Sequence, residues 1–244
     1  MPYTGPQFYD DDALFAAYQQ MRQRPTNANL TLEQPIFQAL TGSVVGLRLL
    51  DLGCGDAWFG HEALLAGAQH YVGLEASHNM AALARTVLSD PRGEVVETSI
   101  EAWAYPNEAF DLVVSRLALH YIADFDAICA QVFASLAPGG RFVLSVEHPV
   151  MTCSQRGAQE SGVHYDWIVD DYFVTGRRIK PWMGSEVVIY HRTVEDYVLG
   201  LQSAGFALEA LRESRPQPEL FPDPALYARR LRIPLLLFCA GRKP

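Results

Sequence analysis

Basic residues are scarce in this chain. Lys and Arg together number 19 against 28 Asp and Glu, a formal net charge of −9. The acids are scattered rather than clustered, and unassisted binding to nucleic acid needs a basic face, so no nucleic-acid partner is expected. Cysteine is sparse too. Cys54, Cys129, Cys153 and Cys239 form no CxxC pair and show no ligand-like spacing with His. That excludes a disulfide framework or a zinc ribbon and fits reduced thiols in a cytoplasmic protein. No HxxxH or paired-carboxylate motif marks a metal site, so no metal is expected. No apolar run reaches the roughly 18 residues of a membrane span, and no signal peptide is read before the first helix. Internal repeats and low-complexity segments are absent as well.

What is present is an alternation of apolar strands and helices. At 244 residues the chain is read as a single domain carrying a cap. Its most informative stretch is Leu49-Leu50-Asp51-Leu52-Gly53-Cys54-Gly55-Asp56-Ala57-Trp58-Phe59-Gly60, an apolar strand running into a glycine-rich turn and a helix. Twenty residues after Gly55, Glu75 ends a second apolar run, Tyr71-Val72-Gly73-Leu74. This is the outline of a nucleoside-binding βαβ unit. Gly53 and Gly55 permit close backbone approach, with Cys54 between them offering its own backbone. Glu75 is placed to accept hydrogen bonds from ribose hydroxyls.

The turn departs from a dinucleotide fingerprint. Trp58 stands where a third glycine would let pyrophosphate lie on the helix start, and Asp51 sets a carboxylate beside the turn. A carboxylate there repels pyrophosphate and suits an ammonium group. A ligand with ribose, adenine and an amino-acid tail fits, and S-adenosylmethionine (SAM) has all three.

The motifs resemble those of class I SAM-dependent methyltransferases. LLDLGCGDAWFG looks like the first motif and VGLEAS the second; Phe110–Ser115 resembles the fourth-strand motif and Leu136–Phe142 the turn into the fifth strand. They occur in the family's order over roughly residues 45–148. Leu117-Ala118-Leu119-His120-Tyr121, Glu147-His148-Pro149, His191-Arg192-Thr193 and Ala204-Gly205-Phe206 further resemble a small bacterial-type subgroup. The resemblance implies an α/β fold: a doubly wound, Rossmann-like sheet of seven mostly parallel strands with the last antiparallel. It also implies SAM as cofactor and S-adenosylhomocysteine as product.

The pattern predicts strands near 48–53, 70–75, 94–98, 110–115, 140–146 and 206–213, with a last strand inside 233–240. Helices are expected near 58–67, 78–88 and 124–137, with Ser77 and Asp124 as N-caps, and another from the Thr193–Asp196 region to Gly205. Residues 1–45 read as a helical lid: one helix through about Arg24, and a second through Leu40 started by a Thr31/Gln34 capping box. Residues 149–192 are rich in aromatics (Tyr165, Trp167, Tyr172, Phe173, Trp182, Tyr190), with β-like runs at 168–174 and 186–191. They are read as a cap over the carboxyl edge of the sheet that forms the substrate pocket. Residues 214–224 hold four prolines and read as a loop.

Cofactor contacts are expected from Asp51, Gly53, Cys54, Gly55, Glu75 and Ala76, with Met80 against the adenine. Ser99, Ile100 and Glu101 form the loop at the adenine edge, where the family commonly has an Asp. Ser115 and Arg116 are expected along the methionine part, and Tyr18 and Arg22, at i and i+4 on one helix face, at its carboxylate. His120 and His148 are the expected bases, with His191 and Tyr190 behind them. The acceptor is expected to be a small molecule with an O- or N-nucleophile, and the protein a monomer or homodimer. Two alternatives stay open: the same fold acting on tRNA or protein, and a catalytically silent SAM-binding module.

Overall fold

A computed structural model describes residues 1–154 and 167–244. The strands are β1 (Arg48–Leu52), β2 (His70–Glu75), β3 (Gly93–Glu97), β4 (Phe110–Arg116), β5 (Leu136–Glu147), β6 (Gly176–Trp182), β7 (Ser185–His191), β8 (Ala207–Glu213) and β9 (Leu236–Arg242). The helices are α1 (Gly5–Asp10), α2 (Asp12–Arg22), α3 (Gln34–Thr41), α4 (Trp58–Leu65), α5 (His78–Val87), α6 (Phe125–Ser135), α7 (Pro149–Thr152), α8 (Val194–Ser203) and α9 (Pro224–Arg230). Seven strands form one sheet in the order β3-β2-β1-β4-β5-β9-β8. All run parallel except β9, which is antiparallel to both β5 and β8. The expected doubly wound sheet is the observed one.

Alternation along the strands divides the core in two. Leu50, Leu52, Val113, Phe142 and Leu144 face α6 and α8, meeting Phe125, Ile128, Tyr197 and Leu201. Leu49, Leu112, Val114 and Val143 face the other way, onto Phe37 of α3, Leu64 of α4 and Ala84 of α5. Strands buried on both faces read as continuous apolar runs, as β1 and β4 do. Each fully buried Leu, Val or Phe contributes about 1.5–3 kcal/mol by leaving water.

Local signals start and stop the helices as expected. Asp11, Ser77 and Asp124 cap α2, α5 and α6 with their side chains, and Thr193 and Asp196 close a capping box on α8. Gly205 ends α8 at a φ of +106°.

Three expectations are corrected. Thr31 does not cap α3: it lies inside a π turn, Asn29–Glu33, and its hydroxyl donates to the Asn27 carbonyl at 2.9 Å. Asn27 starts that turn instead, accepting from the Leu30 N–H at 3.0 Å. The run 168–174 is not a strand. Its partner register is taken by β6, which pairs with β7 through a tight turn at Met183-Gly184, both at positive φ. Helix α9 has no counterpart among the expected elements, because Pro222 and Pro224 read as loop; Pro224 instead sits at the helix start, where its missing N–H costs nothing.

Residues 1–10 fold back on the β6–β7 hairpin. Tyr3 N–H donates to Glu186 O and Tyr3 O accepts from Val188 N–H, both at 2.8 Å. Phe8 packs on Val187 and Ile189. Asp10 accepts from the Ser77 hydroxyl at 2.7 Å, tying the N-terminal helices to α5.

Candidate active site

The carboxyl ends of β1, β2, β4 and β5 open into a cavity of about 910 Å³. Open α/β sheets bind ligands at this edge. Tyr18, Arg22, Asp51, Gly53, Cys54, Gly55, Glu75, Ala76, Met80, Ser99, Ile100, Glu101, Arg116 and His120 all line it.

At the glycine end the walls are mostly backbone. Gly53 holds a φ of +77°, and a Cβ there would stand 2.5 Å from the Ala118 Cβ. Only glycine fits that close pass of the turn under the β4 loop. The Glu75 carboxylate accepts from Gly55 N–H and Ser77 N–H, each at 2.9 Å, which locks the glycine turn onto the tip of β2. Burial raises its pKa to about 6, against the lowering effect of backbone donors from Ser77, Gly55 and Ala76. Asp51 is 1 % exposed. Its Oδ2 accepts from the Tyr71 hydroxyl at 2.9 Å, while its Oδ1 is buried with no partner. Burial pushes its pKa up to about 7, against the Tyr71 hydrogen bond and the Arg116 charge.

Other expected contacts are placed differently. Ser115 does not line the cavity; its hydroxyl donates to Leu52 O at 2.9 Å and ties β4 to β1. Arg116 does line it, but its guanidinium is held by both oxygens of the fully buried Glu33 and lies 5.1 Å over the Phe37 ring. Leu117, next along, is a branched residue at a φ of +55°. Strain of this kind collects at functional sites. Trp58 is half exposed and outside the cavity, so its ring blocks nothing there. Arg22 stands 3.8 Å from Asp56, and Ser99 Oγ accepts from Ala102 N–H at 3.2 Å.

The expected bases separate. His148 does not line the cavity. Its Nε2 meets Glu213 Oε1 at 3.0 Å and its Nδ1 accepts from Val150 N–H at 3.2 Å, so the ring caps α7. His191 is held by Thr152 Oγ1 and Tyr172 O. His120 lines the cavity, is 3 % exposed and keeps an unpartnered Nδ1. Burial drives its pKa down to about 4, so it is neutral at pH 7.

The residue that faces the cavity from the end of β5 is Glu147. Successive residues of an extended chain point to opposite sides, and His148, just beyond β5, turns away from the cavity into the start of α7. Glu147 Oε1 pairs with Lys180 Nζ from β6, while its Oε2 is buried without a partner. Burial raises its pKa, but Lys180 and His120 outweigh that and hold the carboxylate below its usual range. Trp182 Nε1 is a further buried polar atom without a partner, in another cavity-lining residue. Lys180 escaped the sequence reading because β6 was not recognised, whereas Trp182 was expected here among the cap aromatics.

The aromatics of 149–192 divide too. Trp167, Trp182 and Tyr190 line the cavity. Tyr172 does not; its ring packs 5.8 Å from His191 and its hydroxyl accepts from Val194 N–H. Phe173 is 85 % exposed. Tyr165 lies outside the described residues.

Residues 50–144 match a family profile described as a methyltransferase domain. A solved SAM-dependent methyltransferase from Mesorhizobium loti is 32% identical, with a TM-score of 0.79, over 91% of this chain and 99% of that one. This chain belongs to the SAM-dependent methyltransferases. An uncharacterized protein of Haemophilus influenzae is 29% identical to this methyltransferase over 96% of each chain. The trans-aconitate 2-methyltransferase of Variovorax paradoxus is 34% identical over 56% of this chain, which spans about half (49%) of that relative's length. SAM is the cofactor, and the cavity suits it: the unpartnered Asp51 Oδ1 seeks a donor, and Gly53 leaves no side chain in the way.

Proposed function

We propose that this methyltransferase acts on a small-molecule acceptor with an oxygen or nitrogen nucleophile. One observation carries the reading. Glu147 Oε2, His120 Nδ1 and Trp182 Nε1 are buried, unpartnered and drawn from three residues that line one cavity. Buried polar atoms without partners are rare in folded proteins, and here each belongs to a residue that lines the cavity. The small-molecule substrate named in the Variovorax paradoxus relative supports the same class.

Asp51 Oδ1 would meet the cofactor's ammonium, the backbone of Gly53, Cys54 and Gly55 would follow its chain, and Glu75 would accept from its ribose. Ala76, Met80, Ser99, Ile100 and Glu101 would enclose the adenine, with Tyr18 and Arg22 at the carboxylate. Bound there, SAM supplies an electrophilic methyl group on a sulfonium. The protein's own work is then to orient the acceptor, exclude water and take up a proton. Residues 1–45 and the hairpin within 149–192 are the lid and cap that exclude water. Lys180 keeps Glu147 ionised, and Glu147 Oε2 receives the acceptor's proton. Neutral His120 orients the nucleophile through Nδ1.

A transfer assay with labelled SAM over phenols, amines, thiols and carboxylic acids tests this. Label is expected on a phenol or amine. Transfer only to tRNA or protein, or no transfer despite tight binding of S-adenosylhomocysteine, would sink the reading.

A further inference from the structure

The cavity has a second pole that the methyl-transfer reading leaves unused. Five arginines line it: Arg22, Arg24, Arg116, Arg229 and Arg230. Arg22 faces Asp56 and Arg116 is clamped by Glu33. Lys180 is likewise spoken for by Glu147. Arg229 and Arg230, side by side on α9, have no acid paired with them among the described residues, and the Nε of each is buried with no hydrogen-bond partner. Arg229 also lies 5.9 Å from the centre of the Trp167 ring. Burial and the adjoining Arg229 both lower the pKa of Arg230.

Two adjacent, half-buried guanidinium groups repel each other and lose hydration. Proteins keep such groups where an anion meets them, because the planar fork binds carboxylate or phosphate through two parallel hydrogen bonds. No side chain among the described residues supplies that anion. The pair also stands in the right place for a ligand. Leu235 and Leu236, which follow α9 closely in the chain, line the same cavity, and Leu236 is paired with Glu147 across β5 and β9. The glycine end lies over β1 and β2. From β2 to β9 is four strand spacings in the sheet order, about 19 Å at the usual 4.7–4.9 Å per strand. Glu147 and His120 fall between the two ends. The cavity therefore runs along the sheet edge from a nucleoside end, through a proton-accepting corner, to an arginine end.

We propose that Arg229 and Arg230 bind an anionic group, carboxylate or phosphate, carried by the methyl acceptor at the end remote from its nucleophile. The acceptor is then an anionic small molecule whose reacting hydroxyl or amine lies toward Glu147. Two neighbouring cations can take two oxygens each, so acceptors with more than one negative charge bind more tightly than monoanions. Trp167, 5.9 Å from Arg229, and Leu226, Leu235 and Leu236 add apolar lining to the same cavity, and an apolar wall keeps the field of the pair strong.

This rests on the small-molecule reading, and calorimetry separates the two. The protein is first saturated with S-adenosylhomocysteine. Tricarballylate, glycerol 3-phosphate, neutral propane-1,2,3-tricarboxamide and a short single-stranded RNA are then titrated in turn. Tricarballylate or glycerol 3-phosphate is expected to bind, which of them doing so deciding between carboxylate and phosphate, while the triamide does not. R229A/R230A should weaken the anion at least tenfold with S-adenosylhomocysteine affinity unchanged. R229K/R230K should recover only part of that loss, since lysine keeps the charge and loses the fork. Equal binding of the triamide, anion binding unchanged in R229A/R230A, binding of the RNA alone, or no anion binding to a protein that holds S-adenosylhomocysteine would each overturn the proposal. Failure to bind S-adenosylhomocysteine would instead overturn the cofactor assignments beneath it.

Discussion

At the glycine end, the cavity is walled by backbone that hydrogen bonds hold in place: Glu75 grips Gly55 and Ser77, and Gly53 passes under Ala118 with no room for a side chain. At the hairpin end it is walled by charged and aromatic side chains delivered from far along the chain, including Glu147, Lys180, Trp182, Arg229 and Arg230. The first end presents a fixed mould suited to one ligand. The second presents replaceable side chains on a hairpin and a seven-residue helix. A shared cofactor and a divergent acceptor need that division, since side chains on surface elements change without disturbing the sheet.

The sharpest way to break the comparison is at Glu147. Glu147→Gln should cut turnover about 10²–10⁴-fold, the usual worth of a positioned acid or base. Calorimetry should show S-adenosylhomocysteine affinity within about twofold, since the change lies in the acceptor half. If affinity falls in step with turnover, the two ends are one site.

Glu75→Ala is the counterpart in the cofactor half. It should weaken SAM binding by about 1.5–3 kcal/mol, the range for hydrogen bonds to a charged group. Because Glu75 also satisfies two backbone N–H groups, thermal unfolding should show a stability loss of about 1–3 kcal/mol for donors left bare. Unchanged binding would place the ribose elsewhere.

Protonation should distinguish the ends as well. Asp51 and Glu75 titrate near 7 and 6 when folded, above their ordinary 3.8 and 4.5. The folded protein therefore holds protons that the unfolded chain has released. Their contribution to stability is full below about pH 4 and is lost as pH rises to about 7, by up to ~1.4 kcal/mol per pH unit for each proton. A ligand with an ammonium beside Asp51 favours the carboxylate, so cofactor affinity should rise over the same interval. Denaturant melts of Asp51→Asn across pH 4–8 should lose most of this slope; an unchanged slope would assign the proton to another group.

His148→Ala should have the smallest effect. It removes the cap on α7 and the contact with Glu213, for about 1 kcal/mol of stability. Turnover at saturating substrate should stay within about twofold, because the ring does not line the cavity. A loss approaching that of Glu147→Gln would return the imidazole to the chemistry.

How far each region was legible follows from the range of the forces that build it. The sheet and its cofactor motif depend on local patterns: apolar runs at β1, β2 and β4, caps at Ser77 and Asp124, and glycines where the chain must take positive φ. These act within a turn or a strand, so composition and spacing carry them, and the family resemblance added the strand order. Ser115 and Arg116 do end the fourth strand as expected, yet their partners, Leu52 O and Glu33, lie 63 and 83 residues away in sequence. No local signal reports such a pairing.

The amino-acid sequence alone determined that an α/β sheet forms and that Asp51, Gly53 and Glu75 come together at its carboxyl edge, where they line one cavity. The tertiary structure decided which residue of the Glu147-His148 pair enters the cavity. Glu147 ends β5 and His148 lies just beyond it, and the contacts of β5 with β9, of Glu147 with Lys180 and of His148 with Glu213 select which of the two faces in. It also decided that α9 brings Arg229 and Arg230 to the same cavity, after a proline-rich stretch that read as a loop. Helix α9 is too short to be stable by its own propensity, and packing over the cavity supplies what local sequence does not.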